Sequence, residues 1–160
     1  MELSISLEGF KQLEAALARA PEIVTAELNA YAHAAVTHMV TEAQDRTPVD
    51  TGHLRSRISG EVLGTTRLGA LGVKDAGVLG VVGTVTPYAI PVELGTRPHV
   101  IRAKNAKALH FGNITVKSVN HPGTKGAHMF QQAFDANQAQ LHQDFERTVE
   151  RILQRIAGGG

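Results

Sequence analysis

The sequence predicts an α+β fold: a mainly antiparallel sheet with two long helices, one N-terminal and one C-terminal, packed on one of its faces, and a long loop projecting from it. Three observations lead there. Apolar residues recur at helical spacing near both ends of the chain, short β-like runs punctuated by Gly and Thr fill the middle, and Gly112-Asn113 separates two runs that read as strands.

In chain order, Leu3 and Ile5 alternate with polar residues, enough for a short edge strand, and Leu7, Phe10, Leu13 and Leu17 then fall at helical spacing. Pro21 followed by Glu22 reads as the first turn of a second helix, since proline is tolerated at N1 and a carboxylate there meets the positive end of the helix dipole. Val24, Leu28, Tyr31, Ala35 and Met39 form its apolar stripe, and Ala26, Ala30, Ala32, Ala34 and Ala43 keep it slim. Pro48 ends it, because proline disfavours helical geometry in the residue before it. Residues 58–63 and 78–83 are the first strands, and the glycines at 60, 80 and 83 imply bulges or the close approach of another backbone. Residues 108–111 and 114–117 flank Gly112-Asn113, a turn pair that favours a hairpin of the primed type. From Ala127 to Ala157, Phe130, Phe134, Leu141, Phe145, Val149, Ile152 and Ile156 mark a long amphipathic helix. The connection from Tyr88 to Lys107 is long for a compact domain and is expected to project outward.

A chain of 160 residues fits one domain, here 1–157, with Gly158, Gly159 and Gly160 as a flexible tail. It contains no Cys, so neither a disulfide frame nor a thiolate zinc site is expected. No segment approaches the roughly 18 to 20 apolar residues of a membrane span, and neither export by a signal peptide nor a membrane anchor is expected. The net charge of +1 hides a sorted distribution. Between Leu94 and Phe134 there is no Asp or Glu, whereas Arg97, Arg102, Lys104, Lys107, Lys117 and Lys125 lie there, which leaves the rest of the chain acidic. Such a field either steers the basic segment toward an acidic partner or a neighbouring copy, or folds it back onto the acidic helices of its own chain.

Three stretches combine Pro or Gly with a hydroxyl and a basic side chain: 47–55 (Thr47-Pro48-Val49-Asp50-Thr51-Gly52-His53-Leu54-Arg55), 88–98 (Tyr88 to Pro98, with Glu93-Leu94-Gly95-Thr96-Arg97), and 121–126 (His121-Pro122-Gly123-Thr124-Lys125-Gly126). Each reads as a turn, and none carries the nucleophile, base and orienting partner that catalysis requires. In this order, followed by an aromatic and an Ala-Phe step opening the last helix, they resemble the gene-product-ten-like family of tailed-bacteriophage proteins, over nearly the whole chain from Leu7 to Ile156. The chain departs from many relatives in carrying the Pro-Gly-Thr form, after an extra hairpin, where they have a Pro-Phe segment.

The resemblance implies a non-enzymatic neck or tail-completion protein without cofactors, made in the host cytoplasm and located in the virion. It implies a homo-oligomeric ring, a hexamer ahead of a dodecamer, between head-closure or connector proteins and tail-terminator or tail-tube proteins, with DNA passing through the lumen unread. On this reading Arg55, Glu93, Thr96, Arg97, Pro98, Arg102, Lys104, Lys107 and Lys125 serve the protein interface. Pro48, Asp50, Gly52, Gly95, Pro122 and Gly123 shape the turns. The carboxylates available to a neighbour's basic loop are Glu22, Glu27, Glu42, Asp45, Asp135, Asp144, Glu146 and Glu150. Glu93 either pairs with Arg97 or caps its loop, worth at most about 1 kcal/mol if exposed, or fixes the loop root so that Thr96, Arg97 and Pro98 face a partner.

Rival readings rest on single motifs. Asp50-Thr51-Gly52 matches the aspartic-protease tripeptide, whose two Asp residues sit at strand ends and share a proton. Here an Ala-rich helix leads into Asp50, which favours a carboxylate capping the next turn. Among the eight His, His33 and His38 are five apart and His99, His110, His121 and His128 fall in separate loops or strands, so no spacing recommends a metal site. A DNA-contacting assembly protein would use the basic stretch from Arg97 to Lys125, yet aromatics make up 4% of the chain and no basic helix is available to enter a groove.

Overall fold

The computed structural model describes residues 8–64, 77–104 and 106–158; the edge strand expected at Leu3 and Ile5 lies outside them. The N-terminal helix α1 runs unbroken from Glu8 to Arg46. The expected helix start at Pro21 is therefore corrected, because the proline lies inside α1. Proline removes one backbone bond from a helix interior. The carbonyl it deprives is that of Leu17, a residue 57% exposed, so solvent can serve it and the helix continues. Termination falls where expected. The buried Thr47 hydroxyl donates to the Ala43 carbonyl at 2.6 Å, and Pro48 follows.

The C-terminal helix α4 spans Met129–Ala157 and runs antiparallel to α1. Low numbers on one meet high numbers on the other: Arg155 Nη1 donates to Glu27 Oε1 at 2.7 Å, the Tyr31 hydroxyl to the Leu141 carbonyl at 2.8 Å, and Asn137 Nδ2 to Glu42 Oε2 at 2.9 Å. Tyr31 also meets Phe145 edge-on, with ring centroids 5.7 Å apart. Gly158 closes α4 by donating its N–H to the Gln154 carbonyl, so the first residue of the expected tail belongs to the helix cap.

Strands β1 (Ser59–Gly64) and β2 (Val78–Gly83) pair antiparallel and lie across α1. Of the three glycines expected to mark a bulge or an approaching backbone, Gly83 has nothing within 4 Å of a would-be Cβ, and Gly60 and Gly80 admit a side chain. A Cβ at Gly60 would stand 2.5 Å from Val36 Cγ1, and one at Gly80 2.6 Å from Val36 Cγ2, so the absent side chains admit Val36 to the face of the hairpin. Between α1, α4 and this hairpin an apolar space of about 510 Å³ is lined by residues including Leu28, Tyr31, Met39, Phe134 and Phe145.

Among the described residues every strand pairing is antiparallel, as expected, but the sheet is modest: four separate two-stranded pairs. The segment 88–107 is also more ordered than a loop. It contains a short helix α3 (Ala89–Leu94), strand β3 (Gly95–Thr96) and strand β4 (His99–Arg102). β4 pairs with β7 (Ser118–His121), and between them the chain makes the second hairpin, β5 (Leu109–Phe111) with β6 (Ile114–Val116). Its turn begins at Gly112 with φ +56° while Asn113 stays out of the left-handed region, the pattern of a type II′ turn. Together β4 to β7 form a two-stranded arm whose strands pack chiefly on one another and not on the helices.

The tightest packing lies elsewhere. Ala43 of α1, Leu54 of the short helix α2 (His53–Ser56), Ile58, Ala89 of α3, and Met129 and Ala133 of α4 form one buried cluster. The first two sequence turns contribute Leu54 and Ala89 to it, and the third leads into Met129.

Candidate functional site

The site begins with a gap in the local capping of α4. Its first turn contains no acidic residue, and the preceding residue, His128, has φ 51° and offers no side-chain cap. The four leading N–H groups of a helix need acceptors. Glu93 supplies them from α3: its Oε2 accepts from the Phe130 N–H and its Oε1 from the Gln131 N–H, both at 3.3 Å. The backbone continues the join, with Ala127 N–H donating to the Val92 carbonyl at 2.8 Å and His128 N–H to the Glu93 carbonyl at 3.0 Å. Glu93 thus fixes the root of the segment that carries Thr96, Arg97 and Pro98, and its carboxylate serves α4 instead of pairing with Arg97.

Beside this cap the second and third turns become one object. β3 pairs with β8 (Thr124–Lys125), placing Gly95 opposite Lys125 and Thr96 opposite Thr124. The two threonine hydroxyls are 3.0 Å apart, and the Thr124 N–H donates to Thr96 Oγ1 at 3.0 Å. Glycine is required on both sides. Gly95 has φ +77° and a Cβ there would meet the Thr124 carbonyl oxygen; Gly123 has φ +87° and a Cβ there would meet the Thr96 carbonyl oxygen. We call this join the clasp. His99 and His121, paired across β4 and β7, stack above it with ring centroids 5.0 Å apart. His99 Nδ1 lies 2.9 Å from the Arg97 carbonyl, and His121 Nδ1 accepts the Gly123 N–H at 3.1 Å.

The first turn joins the same assembly. His53 Nδ1 and the Tyr88 hydroxyl share a hydrogen bond of 2.9 Å, and Met129 Sδ lies 3.2 Å from the Thr47 hydroxyl. Asp50 is exposed in the turn between α1 and α2, and the expected carboxylate cap is not formed: α2 starts at Gly52, φ +77°, and the Thr51 hydroxyl faces the His53 N–H at 3.5 Å. Asp50 therefore stands on a helix-to-helix turn and not at a strand end. Pro48 and Pro122 are exposed at the turn surfaces.

The basic residues are distributed along the arm and the clasp at its root. Arg97 and Pro98 lie exposed between β3 and β4, Arg102 ends β4, Lys104 and Lys107 lie in the rise to the tip, Lys117 precedes β7, and Lys125 sits on the clasp. None of these six cations pairs with a carboxylate among the described residues. The helices, meanwhile, neutralise much of their own acidity. Glu27 binds Arg151 and Arg155, Glu42 binds Arg46, Asp144 binds Arg147, and Asp45 binds Arg55 at 2.9 Å. Arg155, then Arg151, hold the Glu27 carboxyl below the usual carboxylate range; Asn137 and Arg46 do the same for Glu42. Four of the eight carboxylates expected to be available are thus engaged by arginines of the same chain. Arg55 is likewise committed to Asp45, a contact in the α1-to-α2 turn.

Sequence reasoning missed the exposed apolar groups around this site. Val85, Ile90 and Leu94 are 88%, 69% and 67% exposed, and Phe111 and Ile114 stand out at the arm tip. The signals were present: Ile90 and Leu94 are spaced four apart on one helix face, and Phe111 and Ile114 face each other across the Gly112-Asn113 turn. Among the described residues no three His, Asp or Glu side chains gather to hold a metal, and no helix is long and apolar enough to cross a membrane.

Searches of the curated proteins and of the solved structures each returned no match. A family model described as "Bacteriophage HK97-gp10, putative tail-component" matches residues 11–95, which takes in nearly all of α1, both first strands and the start of the clasp, just over half of the chain. The chain belongs to the HK97-gp10-like family of bacteriophage tail components.

Proposed function

We propose that the chain is a structural subunit that closes with copies of itself into a ring at the head-to-tail junction, joining the head connector to the tail. The observation that supports this most directly is the arm with the clasp at its root, whose six cations have no carboxylate partner among the described residues. Ring closure requires two different complementary faces on each subunit. The arm is one. The other is the acidic surface of a neighbour, where Glu22, Asp135, Glu146 and Glu150 are exposed and bound to no arginine of their own chain among the described residues.

The subunit acts by contact and not by catalysis, since the residues of the three turns hold one another: Glu93 holds α4, Thr96 holds Thr124, and His53 holds Tyr88. Six-fold closure matches a tail and twelve-fold a portal. Connector proteins on one side and tail-terminator or tail-tube proteins on the other are the partners, and DNA passes the lumen without being read. Sedimentation velocity across a salt series, with electron microscopy of the low-salt fraction, tests the reading. Closed rings that dissociate as salt rises agree with it, whereas a ring indifferent to ionic strength removes the charged contact. Particles lacking the protein should accumulate filled heads and finished tails that remain unjoined.

A further inference from the structure

The tip of the arm is amphipathic. In the β5–β6 hairpin Leu109 lies opposite Val116 and Phe111 opposite Ile114, so four apolar side chains share one face, while His110 and Thr115 share the other. A two-stranded hairpin has no second layer of its own and is marginal in water without one. Phe111 and Ile114 nevertheless remain 50% and 63% exposed, so half or more of each stays open to solvent. At the foot of the molecule a shallow groove of about 280 Å³ lies between α3 and the start of α4, lined by Gly83, Thr84, Ala89, Ile90, Leu94 and Phe130, with Glu93 at its edge. Ile90 and Leu94 stand open beside it, and Phe134 follows Phe130 one turn along α4.

The charges around the two surfaces are opposite. Lys107 and Lys117 flank the tip hairpin, and no acidic residue occurs between Leu94 and Phe134. Glu93 lies on the groove itself, and Asp135, exposed one turn further along α4, accepts from Gln131 Nε2 at 2.9 Å. We propose that the apolar face of this tip docks into the α3–α4 groove of a second copy of the chain, Phe111 and Ile114 seating against Ile90 and Leu94 while the flanking lysines meet the carboxylates. The proposal rests on the ring reading and names its contact. It is head-to-tail, since tip and groove are different surfaces of one subunit, as closure around an axis demands. A hairpin tip buries less than the roughly 1,200 Å² of a stable interface, so it acts beside the ionic contact of the arm and sets its register.

The chain has no cysteine, so introduced thiols are the sole targets of a short bismaleimide cross-linker. Ile114→Cys and Leu94→Cys are prepared as separate full-length variants and as the double variant. A mixture of the single variants should cross-link as a heterodimer, neither alone should do so, and the double variant should give a ladder of covalent oligomers. Phe111→Ser should weaken self-association about tenfold or more with the helical circular dichroism unchanged. Oligomers in light scattering without the mixed cross-link overturn the docking and leave the ring standing. Cross-linking of either single variant to itself indicates a two-fold contact and overturns it as well. A chain monomeric at every concentration overturns both.

Discussion

The carboxylate of Glu93 accepts the N–H of Phe130, a residue 37 positions later, and so caps a helix that has no local cap. Cap side chains are worth about 1 kcal/mol each. Glu93→Ala is therefore expected to lower unfolding free energy by about 1–2 kcal/mol, with hydrogen exchange accelerated at the Phe130 and Gln131 amides and unchanged near Ile152. Uniform acceleration along α4 would contradict a capping role.

Gly123 is expected to tolerate no side chain. It combines φ +87° with a space closed by the Thr96 carbonyl oxygen, whereas Gly112, φ +56°, has nothing within 4 Å of the point where a methyl group would stand. Gly123→Ala should cost more than the roughly 1–2 kcal/mol of a left-handed alanine, and more than Gly112→Ala, which meets backbone strain without a steric clash. Urea unfolding of the two variants separates the steric cost of the clasp from the conformational cost of a turn.

Acid should loosen the α1–α4 seam at Glu27. Arg155 and Arg151 hold its carboxyl below the usual range, so the contact contributes above the unfolded carboxylate range and is lost as pH falls through the lowered folded value. Glu27→Gln removes that dependence: the melting temperature of the variant should fall less steeply than the parent's on acidification below that range. Parallel profiles would show that Glu27 contributes nothing to acid sensitivity.

Charge reversal on the arm should separate folding from assembly. Arg102→Glu with Lys104→Glu alters two exposed side chains without ion-pair partners among the described residues. Stability should change by no more than about 0.5 kcal/mol per site, while self-association weakens markedly at low salt. A large stability loss would mean that these cations serve their own fold.

The elements with a strong period were legible in the sequence: both long helices, the β1–β2 runs, and the hairpin at Gly112-Asn113. The glycines at 60, 80 and 83 suggested bulges or an approaching backbone; at 60 and 80 the Val36 side chain approaches instead, and Gly83 has nothing within 4 Å of a would-be Cβ. Pro21 misled because a proline is read as a boundary, and its cost depends on whether the deprived carbonyl reaches solvent, which is a tertiary fact. The role of Glu93 was half legible. Its place in a turn marked it, but the Phe130 N–H it serves has no fixed spacing from it, and the same holds for Thr96 and Thr124, which meet 28 residues apart. Pairing of Glu27 by Arg151 and Arg155 of the other helix was invisible for the same reason.

The mass distribution of the purified chain at low and high ionic strength tests the central claim most directly. The account predicts a closed oligomer of fixed copy number at low salt that gives way to monomer as salt rises. A single monomeric species throughout the concentration and salt range would contradict it.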